Sequence, residues 1–150
     1  MPPTLLDNLM PALRDAVGPV ILISGIGLLL LTMTNRLGRA IDRARKIKHE
    51  LAALTGPEHT RAQAQIDTLF RRAKIIRLAI LFSVLSALLA ALLVITLFLA
   101  AWLGWQLAWP EAVIFIACLV SLCVSLVAFM EDINLSLHAL KLELESHRQT

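Results

Sequence analysis

Residues 18–34, 78–110 and 112–130 contain no Asp, Glu, Lys or Arg, and each stretch is dominated by Leu, Ile, Val, Ala and Phe. A bilayer's hydrocarbon core, about 30 Å thick, requires roughly 20 apolar helical residues, with about 17 as the lower bound. All three stretches meet that requirement. The chain as a whole is 58% hydrophobic, above the roughly 45–50% of an ordinary soluble domain, and the excess is concentrated in these segments. The reading is an all-α membrane protein with three transmembrane helices, 18–34, 78–103 and 112–130.

Charge orients those spans. Of the 14 Lys and Arg residues, 11 lie between Asn35 and Arg77. Positive residues beside membrane helices stay cytoplasmic. The 35–77 segment is therefore expected inside, the N-terminus outside, the 104–111 turn outside, and the tail 131–150 inside. A secretory signal has positive charge before its apolar core and a small-residue cleavage site after it. Here the charge follows, at Arg36 and Arg39, so the first span is expected to be retained.

Leu5, Leu9, Leu13 and Val17 recur at i+4, which predicts that residues 4–16 of an outer arm, 1–17, form a short amphipathic helix on the outer surface. Pro19, after Gly18, suits the first turn of span one, where a missing N–H is harmless. From there no helix breaker occurs until Gly56-Pro57. Span one should therefore continue well into the cytoplasm, where Leu37, Ile41, Ala44, Ile47 or Lys48, Leu51 and Leu54 form an apolar stripe. After the turn, Ala62, Ile66, Leu69, Ala73, Ile76 and Ile80 repeat at spacings of four and three and run into span two. Ile133, Leu137, Leu140 and Leu144 do the same after span three. The expected architecture is three spans extended into a cytoplasmic helical bundle, with 35–77 as a basic helical hairpin.

The hairpin has 11 basic and four acidic residues, whereas the tail from Glu131 has four acidic and two basic. Glu131 and Asp132 emerge at the level of Arg36 and Arg77, so a charge-paired collar is expected at the inner interface. Within the spans, small residues form stripes: Ala117, Ser121 and Ser125 on span three, leading to Asp132; Ser83, Ala87 and Ala91 on span two; Gly18, Gly25 and Thr32 on span one. Such stripes let membrane helices approach closely. They either pack helices within one chain or, in a homo-oligomer, line a pore, for which the span-three stripe with Asp132 is the best candidate. Trp102, Trp105 and Trp109 cluster at the outer turn, where indole rings anchor at headgroup level. Cys118 and Cys123 lie in span three on different helix faces and read as reduced, packed thiols.

The run Asn35, Arg36, Arg39, Asp42, Arg43 and Arg45, directly after the first span, resembles the Asn-Arg and Asp-Arg signature of a bacterial family, domain-of-unknown-function family 2721. The resemblance implies a small multi-pass protein of the bacterial inner membrane and no established activity. From the residues themselves the run has three uses: topology with local ion pairs, binding of anionic lipid headgroups, or a charged pore mouth. Nucleic-acid binding is not expected, since no stacking aromatics accompany the charge.

No enzymatic function is expected, and no cofactor or metal. His49, His59, His138 and His147 lack ligand spacing, and no Gly-rich phosphate loop is present. Two classes of function remain: a homo-oligomer forming an ion-permeable pore, or a membrane-anchored adaptor whose helical extension recruits a cytoplasmic partner or anionic lipid.

Overall fold

A computed structural model describes residues 5–51, 56–104 and 108–147, with side chains outside the description at 5–8, 50, 57–58, 61 and 136–147. Trp105, Leu54 and the tail seam positions Leu137, Leu140 and Leu144 lie outside what is described. The described residues form three helices: α1, Leu5–Leu51; α2, Pro57–Leu103; and α3, Ala108–His147. Each is long and apolar enough to cross a membrane. At 47, 47 and 40 residues, they are about twice as long as a bilayer core demands.

The helix boundaries follow local chemistry. Gly56 (φ 75°) precedes Pro57 at the first position of α2, and Gly104 (φ 67°) follows its last residue. Glycine adopts this left-handed conformation without a Cβ penalty, and proline at the first helical position loses only an N–H with no intrahelical partner. Pro110 falls in the first turn of α3, where the same logic applies.

One expectation is corrected at the N-terminus. α1 runs unbroken from Leu5, with Pro11 and Pro19 inside it, so Pro19 does not begin a new helix and the arm does not form a separate one. Each proline forfeits one backbone hydrogen bond.

The chain divides into two compact units, Met1–Leu31 with Leu81–Val124, and Thr32–Ile80 with Ser125–Thr150. In the first, Ala12, Ala16 and Ile26 of α1, Ala90, Leu93 and Ala100 of α2, and Cys118 of α3 are buried, together with Ser83, Ser86 and Ser121. In the second, Met33, Ile76, Ala79 and Ala128 are buried with Ser125 and Asp132. Much of the remaining surface of the spans is large and apolar, with Leu28, Leu88, Ile95, Ile116 and Val127 facing outward, as expected where the solvent is lipid.

The span-one stripe does not pack helices within the chain. Gly18, Gly25 and Thr32 are exposed, and a Cβ added at Gly18 or Gly25 meets no atom within 4 Å. Gly25→Leu is therefore expected to leave thermal stability in detergent within about 0.5 kcal/mol of the parent, as for other surface substitutions. A larger loss would show that this face packs against a second chain.

Candidate functional site

Polar side chains of α3 are directed at α2 in both units. In the first, Ser121 Oγ donates to the Phe82 carbonyl at 2.9 Å. Ser86 Oγ donates to the Cys118 carbonyl at 2.9 Å, and Cys118 Sγ donates to the Ser86 carbonyl at 3.2 Å. This reciprocal pair needs close backbones, which only small residues allow. In the second unit Ser125 Oγ donates to the Ala79 carbonyl at 2.7 Å. Each hydroxyl proton is thereby satisfied inside the chain, as a buried donor must be.

One turn beyond Ala128 is Asp132, with 0% of its surface exposed. Arg36 of α1 brings Nη2 to 3.0 Å from Oδ2, and Arg72 of α2 brings Nε to 3.4 Å from Oδ1. The Arg72 contact is a hydrogen bond; the Arg36 contact is an ion pair without hydrogen-bond direction. The Arg36 guanidinium also lies over the Phe129 ring, 5.3 Å from its centroid, within cation–π range. Three helices thus meet on one carboxylate. The two arginine side chains retain 25% and 21% exposure, so the charges are partly hydrated while the acid is not. Such a triad adds little net stability over a well-packed apolar alternative, but removing one member leaves uncompensated charge.

The expected collar needs revision in its members. Arg77 and Glu131 are exposed and Arg72 takes the place assigned to Arg77. Arg72 precedes Ile76 by one turn and shares its inward face, whereas Arg77 follows Ile76 and points away. The phase of the α2 seam carried that signal. The candidate pore stripe also divides. Ser121, Ser125 and Asp132 face into the chain and are occupied there, whereas Ala117 is exposed and its neighbour Cys118 takes the inward position.

Of the basic motif, only Arg36 reaches the triad. Asn35, Arg39, Asp42, Arg43 and Arg45 are exposed along α1. Trp102 and Trp109 are 72% and 79% exposed. Both cysteines are free, Cys118 buried and Cys123 exposed.

No curated protein and no solved structure shows significant similarity to the chain. Residues 16–142, a stretch that takes in most of all three helices together with Arg36, Arg72 and Asp132, match the family described as "Protein of unknown function (DUF2721)", and the chain belongs to that family.

Proposed function

We propose that this multi-pass protein is a non-enzymatic, membrane-anchored module that works through its basic helical hairpin at the inner face of the bacterial inner membrane, gathering anionic lipid headgroups. The observation that carries this reading is the division of the cations. Arg36 and Arg72 converge on Asp132, while Arg39, Arg45, Lys46 and Lys48 of α1 and Arg71, Lys74 and Arg77 of α2 are exposed. Clustered basic residues beside a membrane attract anionic headgroups at about 1 kcal/mol each. The positive-inside rule supports a cytoplasmic hairpin.

A pore lined by span three is less well supported. It requires Ser121, Ser125 and Asp132 to face an axis shared between protomers, and these groups are engaged with α1 and α2 of their own chain. Whether or not the protein is a homo-oligomer, reconstituted protein is expected to be electrically silent.

The test uses protein extracted with its surrounding bilayer in polymer nanodiscs, comparing the anionic lipid fraction with that of the bulk membrane. Several-fold enrichment is expected, falling to the bulk value when Arg39, Arg45, Lys46, Lys48, Arg71, Lys74 and Arg77 are all replaced by Gln, and falling with added salt as exposed charges are screened. A bulk-like annulus around the parent protein would contradict the proposal.

A further inference from the structure

The first unit contains a groove of about 600 Å³ with contributions from α1, α2 and α3, a volume in the range of small-molecule sites. Its wall is apolar, formed largely by Leu22, Leu93, Leu97, Phe115 and Leu119, with Gly18 and Pro19 on the α1 side. Two acidic residues, Asp15 and Glu111, also line it, and among the described residues that line it none is Lys or Arg. The polar and apolar parts are separated along the helices. Asp15 precedes Leu22 by seven residues and Glu111 precedes Leu119 by eight, each about 10–12 Å of helix. The carboxylates therefore lie toward the end of the spans marked by Trp102 and Trp109, and the leucines lie deeper.

Backbone chemistry adds to the acceptors at that end. Pro19 has no N–H, so the Asp15 carbonyl lacks its usual helical donor. Glu111 is in the first turn of α3, where it offsets the positive helix end. The mouth thus offers negative charge and acceptors, and the floor offers only hydrocarbon. A ligand that fits must have an apolar tail and a cationic donor head. In the membrane surrounding these helices the abundant molecule of that kind is a phospholipid.

We propose that this groove is a binding site for a phospholipid with an ammonium headgroup, the ammonium held by Asp15 and Glu111 through charge-assisted hydrogen bonds and one acyl chain lying against Leu22, Leu97 and Phe115. The site is independent of the basic hairpin and rests only on membrane insertion. It selects against anionic headgroups, which the two carboxylates repel. Gly18 offers a direct way to close it: a side chain there enters open space rather than striking a neighbour.

The experiment uses phosphatidylethanolamine carrying a diazirine in one acyl chain, photolysed with the full-length protein in nanodiscs, and mass spectrometry to locate the adducts. Labelling is expected to concentrate at residues 18–22, 93–97 and 112–119. It should be competed by unlabelled phosphatidylethanolamine and at least several-fold less well by phosphatidylglycerol with the same chains. Gly18→Leu should reduce it several-fold with helical content retained, and Asp15→Asn with Glu111→Gln should abolish the headgroup preference. Adducts spread evenly over lipid-facing positions such as Leu28 and Leu88, or equal competition by both lipids, would overturn the proposal. Headgroup preference that survives loss of both carboxylates would overturn it as well.

Discussion

Asp132→Ala is expected to destabilise the protein by about 3 kcal/mol, the lower end of the range for breaking a buried ion pair. The lower end applies because Arg36 and Arg72 keep some exposure to solvent, at 25% and 21% of their side-chain surface. Against a total stability of about 5–15 kcal/mol, this is enough to lower expression and the melting temperature markedly. Arg36→Ala and Arg72→Ala should each cost less, because the carboxylate keeps its other partner. The informative variant is the triple replacement of Asp132, Arg36 and Arg72 by Leu. Replacing a buried ionic cluster by apolar residues of similar volume is often neutral or better, so the triple variant should regain most of the loss. Thermal unfolding in detergent, followed by helicity, measures all of these. A triple variant as unstable as Asp132→Ala would show that the residues do not act as one electrostatic unit.

The second large effect is expected at the other end of the α2–α3 seam. Ser86 is fully buried and its hydroxyl lies 2.9 Å from the Cys118 carbonyl, so α3 backbone occupies the space a larger side chain would need. Ser86→Leu should cost about 1–3 kcal/mol from overpacking, plus about 0.6 kcal/mol for the lost interhelical hydrogen bond. Ser86→Ala removes only the hydrogen bond and should cost about 0.6 kcal/mol. If Ser86→Leu proved as harmless as Gly25→Leu, small residues would not be what brings these helices together.

Helix existence was legible because hydropathy and the absence of breakers act locally. The α2 seam was also legible: Ala62, Ile66, Leu69, Ala73, Ile76 and Ile80 are all buried or half-buried, as an alternation of three and four residues keeps one face in phase. The α3 stripe was misphased for the same geometric reason. At about 100° per residue, Cys118, Ser121, Ser125, Ala128 and Asp132 share an arc of about 80°, and Ala117 falls about 20° outside its edge. On α1, spacing revealed which residues share a face but not which face turns inward. Gly18, Gly25 and Thr32 share one, and Pro19, Ile26 and Met33, one residue along, form the buried one. Gly reads as a packing residue only when a neighbour is present, and neighbours are a tertiary fact. Arg72 escaped notice because it flanks the seam beside Ala73, and an inward charge there contradicts binary patterning until its buried counter-ion is known.

The claim on which the rest depends is that the polar face of α3 is sealed against α2 of its own chain. It is tested most directly by oxidising a Ser86→Cys variant in a Cys123→Ser background. Ser86 Oγ and Cys118 Sγ lie 3.3 Å apart, so the new thiol faces the native Cys118 and a disulfide should form within one chain. The predicted result is a monomer on a non-reducing gel, with α2 and α3 peptides joined after proteolysis. A covalent dimer joined through Cys118 would place this face between subunits and contradict the assignment.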